Sequence, residues 1–544
     1  MKRMKLLAMM AVLAAVICIV VIYGSPYAAL VQPVMEIEEI WAIEDAREES
    51  DEPLVTRLEN RDVPLAYDAQ SNTFYCTLGL ENEDEWPDVH LHAPDADGVK
   101  LVFVDDYTYD WCSDAIREGY PYQMMAYTDT AYAYMDVIFT GLPLVQIETG
   151  EVISEQDSLV DVKISAHGAE PVSSQALVHY RGVISLLEDK KSYKLDFVRD
   201  ASGHHNRVNL PGFGLRKDII LGSMATDWLL LRDVLSWTMY DKMLGGRTDR
   251  AFSARKIEYA EVFVNNEYFG IYMMMEPMHA QEEIVKAGEQ YLLTDSVYRS
   301  RYVGNKVERP LMKAPRKEKS HFEARYTPSD KLPFAGLECY CKMLTCEEDE
   351  MFIRLAEEHI DIESLVRYVL LLQAGALTDN VNNNMYIWAH QSPDGLRYAF
   401  APWDLDMTWG RNEHKLGEMY ENWLSFPLAD RILALNVGNA AQILVQQWRA
   451  LREKVFTLET VEGILAHYSA VLNDSGAAMR NAERWGESVD DTGGAHALYA
   501  AQMRFETVDR AVEQIEQMLL DGSVPEFLLA SGYEHMSTPV YQAY

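Results

Sequence analysis

The chain has 544 residues, beyond the size at which a single hydrophobic core keeps growing, so more than one domain is expected. A composition of 48% hydrophobic and 11% aromatic residues is that of a globular protein and excludes a disordered one. Against 48 Lys and Arg stand 85 Asp and Glu, a formal charge of −37, which excludes nucleic acid as a partner because phosphate binding needs clustered basic side chains.

Lys2, Arg3 and Lys5 precede an uncharged run from Leu6 to Ile22, the pattern of a secretory n-region and h-region. Residues 1–30 are read as a signal anchor, with a cleaved signal peptide as the alternative. The run is at the short limit for a spanning helix, and no A-x-A site follows it. The basic flank stays cytoplasmic, so the rest of the chain is expected outside, either single-pass in the cell membrane or secreted. Cys76 and Cys112 are then candidates for a disulfide. Cys339, Cys341 and Cys346 form a C-x-C-x4-C cluster that lacks the fourth ligand of a zinc site.

Residues 31–60, containing EIEEIWAIEDAREESDE, read as an acidic linker. From 61 to 165, NTFYCTLGL, GVKLVFVDDY and YMDVIFTGL predict a β-rich module. His90 and His92 share one strand face there, without a third ligand in view, and Asp95 and Asp97 read as turn residues. Two hairpins follow, ALVHYRG with SYKLDF, and EVFV with EYFGIYMMM around Asn265-Asn266. Between them DWLLLRDVLSWTMYDKML has helical spacing through Leu230, Val234, Trp237, Tyr240 and Leu244. A polar stretch at 296–332 reads as an insertion. In the C-terminal part, Phe505, Val508, Val512, Ile515 and Leu519 draw one apolar stripe.

The stretch TDNVNNNMYIW, residues 378–388, is the most informative. DIESLVRYVLLLQAGAL before it predicts a buried helix capped by Asp361 and delivering Asp379. MYIWAH, the turn SPDG and LRYAFAPW after it predict a hairpin. Neighbouring strands are about 4.8 Å apart, so Asn384 before the first strand and Asp404 after the second reach one cation at the same open end. Oxygen ligands of this type suit Mg²⁺ or Mn²⁺, with Ca²⁺ not excluded. Taken singly, each of these residues also reads as a loop or capping residue. An Asp-x4-Asn loop followed by a second Asp after a hairpin is the plan of protein kinases. YRGVISLLEDKKSYKLDF offers the phosphate loop and strand lysine of that plan, Gly182 and Lys194, with Lys190 and Lys191 as competitors.

The segments 180–197, 227–237, 264–277, 378–388 and APWDLDMTWG at 401–410 together resemble the CotH kinase family, over roughly 170–410. The resemblance implies an α+β fold: an atypical protein-kinase-like two-lobed core over 166–410, an N-terminal all-β module and a helical C-terminal region over 411–544. It implies transfer of the γ-phosphoryl group of ATP to Ser or Thr of exported, coat or surface proteins. By it Asp379 accepts the substrate proton, Asn384 and Asp404 hold metal, and Asp406 is an alternative ligand. Gly182, Lys194, Glu276 at the hinge and Trp403 contact the nucleotide. The chain departs from the family where Val183-Ile184-Ser185 follow Arg181-Gly182 in place of small hydroxyl residues, and no helix glutamate matches the strand lysine. Two other readings stay open: a surface-binding protein on a kinase-like fold, and a glycosyltransferase using Asp404-Leu405-Asp406 as a D-x-D.

Overall fold

Period-two burial dominates the first half of the chain. The computed structural model describes residues 35–79, 89–104, 112–182, 185–245, 254–278, 295–300, 322–327, 334–381, 383–411, 420–486 and 494–529. In it the strand Ser192–Val198 buries Tyr193, Leu195 and Phe197 and turns Lys194 and Asp196 to the other face. That strand belongs to a closed barrel of Leu144–Glu148, Ser158–Ser165, Val172–Arg181, Ser192–Val198, Asp218–Gly222, Glu267–Met275 and Ile257–Val264, in that order. The first and last of these run parallel and close the ring. Val145, Val162, Val178, Leu195, Val262 and Met274 fill the interior. Both predicted hairpins are present, and Asn265 and Asn266 take φ of 51° and 58°, as a two-residue primed turn requires.

The barrel, the preceding β-rich sheet and residues 470–489 form one compact unit, which also takes in 257–276. Phe74, Phe103, Tyr122, Met124 and Val137 make the core of the sheet. Three expected boundaries are corrected. The acidic stretch is not a linker throughout: Ile37–Asp45 is a helix whose Ile40 and Ile43 bury against Val102, Met125 and Tyr132, and Glu48–Glu49 pairs with Ala131 and Tyr132. Two isoleucines three apart make an apolar stripe whatever the surrounding charge. The boundary at 165 cuts the barrel, since Ser158–Ser165 pairs with Val172–Arg181. The C-terminal region is divided as well, because the helix Ala477–Trp485 lies on Glu267–Met275 through Arg484 Nε to Tyr268 O (2.8 Å) and Trp485 Nε1 to Phe269 O (3.0 Å).

The second unit comprises residues 229–256, 277–469 and 490–544. Its central helix, Ile362–Gly375, begins where the sequence predicts: Asp361 accepts a hydrogen bond from Ser364 N at 3.0 Å. Leu365, Val366, Val369, Leu370, Leu371 and Leu372 bury nearly all round it. Arg504, on the helix Ala495–Asp521, donates from Nε to Gln373 O at 2.7 Å, and Phe505, Val508, Val512 and Ile515 are buried along the predicted stripe. The helix predicted from Asp227 forms only over Arg232–Leu244, with Leu230 at φ 57° ahead of it. The expected hairpin, Met385–Ser392 with Gly395–Pro402, is extended by two further strands, Ser296–Ser300 and Phe322–Tyr326. The ends of the supposed polar insertion are thus sheet, with Val297 and Tyr298 fully buried. Residues 301–321 lie outside the described residues, as do residues 1–30, Val183, Ile184 and the Cys112 side chain. Among the described residues no helix is long and apolar enough to cross a membrane.

Candidate functional site

The site of the second unit is built on three strand and helix ends. After Gly375 the chain leaves the helix through Ala376 in the left-handed region, φ 50°, and makes the short turn Thr378–Asn380 that carries Asp379. Asn380 is fully buried and its Nδ2 donates to Asn384 O (3.0 Å) and Trp403 O (2.7 Å), tying the turn to both hairpin strands. Tyr368 Oη, from the central helix, donates to Asn380 O at 2.5 Å. Asn384 and Asp404 both have positive φ, 47° and 60°, a conformation that Asn and Asp tolerate better than other side chains. The hairpin register, Met385 opposite Pro402, sets these two residues at the same end, as the sequence predicts.

Asp379 is held by amides. Asn384 Nδ2 donates to its Oδ2 at 2.6 Å, and Asn383 Nδ2 stands 3.3 Å from both oxygens. Burial pushes the carboxyl up to about 6; the amide donors oppose the rise, and the neighbouring Asp404 and Asp406 carboxylates add to it. The Asn384 amide oxygen faces Arg299, whose Nη2 lies 2.5 Å from it and 4.0 Å from Asp404 Oδ2. A cation therefore already bridges these two oxygens. Half of the Asp404 side chain is exposed, whereas Asp406, the alternative ligand that the resemblance implies, is ion-paired with Arg411. Among the described residues no three acidic, His or Cys side chains gather as a metal cluster. The donor set that fits a hard divalent cation is Asn384 Oδ1 with Asp404, completed by oxygens from outside the protein.

The helix Arg232–Leu244 fixes the second arm of the site. Asp233 Oδ1 accepts from Leu405 N at 3.1 Å, and Ser236 Oγ takes the Trp409 Nε1 hydrogen at 2.8 Å while meeting Thr408 Oγ1 at 3.0 Å. Arg299, Asn380 and Ser236 were missed. Arg299 sits in the stretch read as an insertion, 85 positions from the Asn384 it touches, and local pattern carries no such signal.

Trp403 is only 4% exposed and meets Trp237 and Tyr386 edge-on, the surroundings of a core residue; a stacking role for it is not supported. The other expected nucleotide residues belong to the barrel unit. Gly182 has φ 100°, a conformation that favours glycine, and a Cβ there would also run into Ser185 Oγ. Lys194 Nζ lies 2.7 Å from Asp196 Oδ1 and 3.6 Å from Asp218 Oδ2. Asp196 and Asp218 are directly opposed across the ladder, and the ammonium offsets a like-charge pair that would otherwise cost stability. The carboxylates that Lys194 meets are therefore strand residues and not helix residues. Lys190 is buried, donating to Ile271 O and Asn481 Oδ1, both at 2.7 Å, and Lys191 binds the carbonyls of Leu186 and Glu188. Glu276 is buried and ion-paired with Arg216.

No curated protein matches the chain. A family model described as CotH kinase protein matches residues 178–519, which span the barrel from its third strand, the Asp379 turn and the helices behind it. The chain belongs to the CotH kinase family.

Proposed function

We propose that the protein is an ATP-dependent kinase acting on Ser or Thr of exported or surface proteins, on an atypical two-lobed kinase-like core. The observation that carries this reading is the Asp379–Asn384–Asp404 arrangement, a carboxylate raised to about 6 beside an amide oxygen and an exposed carboxylate that share a cation. A carboxylate of that basicity, oriented by Asn383 and Asn384, is suited to accept the proton of a substrate hydroxyl near neutral pH. Asn384 and Asp404 would hold a divalent cation, Mg²⁺ or Mn²⁺, which when bound neutralises phosphate charge. Lys194, already steered by Asp196 and Asp218, would meet the phosphates of ATP, and the backbone at Gly182 would approach them. Asp406 on Arg411 weakens the D-x-D reading of a glycosyltransferase. Lys2, Arg3 and Lys5 before the apolar run support export through a signal anchor or signal peptide.

The test is transfer of label from γ-labelled ATP, with Mg²⁺ or Mn²⁺, into the protein itself and a Ser-rich acceptor, beside Asp379→Ala and Asp404→Ala. Transfer that disappears in both variants supports the kinase and the two roles. Nucleotide binding without transfer would make this a binding protein on a kinase-like fold, the reading favoured by Val183-Ile184 in the phosphate loop.

A further inference from the structure

Arg299 reaches the proposed cation site from the strand Ser296–Ser300, where it pairs with Tyr386, one position inside the hairpin end. Its guanidinium bridges Asn384 Oδ1 (2.5 Å) and Asp404 Oδ2 (4.0 Å), the two oxygens expected to bind metal. The Asn384 amide cannot simply be turned over. Its nitrogen serves Asp379 at 2.6 Å, and the reverse orientation would set oxygen against carboxylate and NH₂ against guanidinium. One oxygen thus faces one cation at a time. The guanidinium is also incompletely anchored, for among the described residues its buried Nε has no hydrogen-bond partner. A cation held at one end moves away more readily than one satisfied on every side.

We propose that Arg299 is an internal cation that competes with the divalent ion for Asn384 and Asp404, so that metal loads only as the guanidinium is displaced. This rests on the reading of those two residues as the metal site. Before loading, the arginine neutralises the acidic cluster and keeps Asn384 aimed; afterwards it is a free donor beside the phosphates.

Mn²⁺ titration of the purified protein, followed by the paramagnetic signal of free Mn²⁺, tests this on wild type, Arg299→Met, Arg299→Gln, Arg299→Lys and Asp404→Asn. Removing a like charge at this distance should tighten Mn²⁺ binding roughly tenfold in Arg299→Met. Arg299→Gln, which keeps a donor for Asn384, should tighten it similarly and serves where the methionine variant folds poorly. Arg299→Lys should stay near wild type. Mn²⁺ should also raise the thermal midpoint more in the uncharged variants than in wild type. Unchanged or weaker binding in both uncharged variants, with binding lost in Asp404→Asn, overturns the competition and leaves the metal site standing. No Mn²⁺ binding in wild type or any Arg299 variant overturns both.

Discussion

Two carboxylates, Glu261 fully buried in one unit and Asp379 half-buried in the other, receive opposite treatment. Glu261 in the barrel is fully buried and met by Arg480 at two points, Nε and Nη2 each at 2.9 Å, by Tyr268 Oη at 2.7 Å and by Thr140 Oγ1 at 2.6 Å. Every lone pair has a partner and the charge is matched. Asp379 in the other unit has only amides on its oxygens, and further carboxylates nearby. A matched buried ion pair holds chains together; an unmatched carboxylate keeps a displaced pKa, which is what proton transfer uses. The contrast separates structural burial from chemical burial within one molecule.

The sharpest way to break that comparison is to unmatch Glu261. Arg480→Met leaves an uncompensated charge among Tyr75, Tyr268 and Thr140, and should cost about 3–5 kcal/mol in urea unfolding. Arg480→Met combined with Glu261→Gln should recover much of that loss, since the stranded charge is gone. A single variant that unfolds at the wild-type midpoint would deny the pair its structural role.

The converse substitution acts through pH. The folded-state value of Asp379, about 6, lies above its ordinary 3.8. The folded protein therefore holds this proton more tightly, and the stability linked to it, present below pH 3.8, is lost as pH rises through 6. Asp379→Asn should gain on wild type by up to about 3 kcal/mol across that window and hold a constant difference above it. Urea midpoints at several pH values check this. A difference that does not change with pH would put Asp379 among ordinary carboxylates. The same variant should lower the proposed phosphoryl transfer by about 10²–10⁴-fold, so that stability and activity would move in opposite directions.

The contrast also explains what the sequence could show. Asp361, Asp379, Asn384 and Asp404 were legible because a cap, a turn and two strand ends are local patterns joined by short connections. The barrel hairpins were legible for the same reason. Ring closure was not, since Leu144–Glu148 meets Ile257–Val264 across more than a hundred residues. Glu261 with Arg480, Arg299 with Asn384, and Lys190 with Asn481 are likewise pairs made by tertiary folding, separated by 219, 85 and 291 positions. Trp403 was ambiguous because an aromatic next to an expected ligand residue looks the same in sequence whether it stacks on a nucleotide or packs edge-on against Trp237.

The smallest effect sharpens the comparison by taking it to local structure. Asp361 also bonds its carboxylate to an amide, Ser364 N, but at a helix N-terminus, where backbone N–H groups are left without partners inside the helix. This cap is a single local hydrogen bond with no arginine partner behind it, so Asp361→Ala should cost only about 1 kcal/mol by urea unfolding. Asp361→Asn, which keeps an acceptor oxygen, should cost a few tenths of that. The helix it caps ends at the Asp379 turn, so a loss near 1 kcal/mol accompanied by unchanged Mn²⁺ binding would assign Asp361 to the scaffold alone. Weakened Mn²⁺ binding would instead mean that the geometry of the Asn384 site depends on how firmly its supporting helix is started.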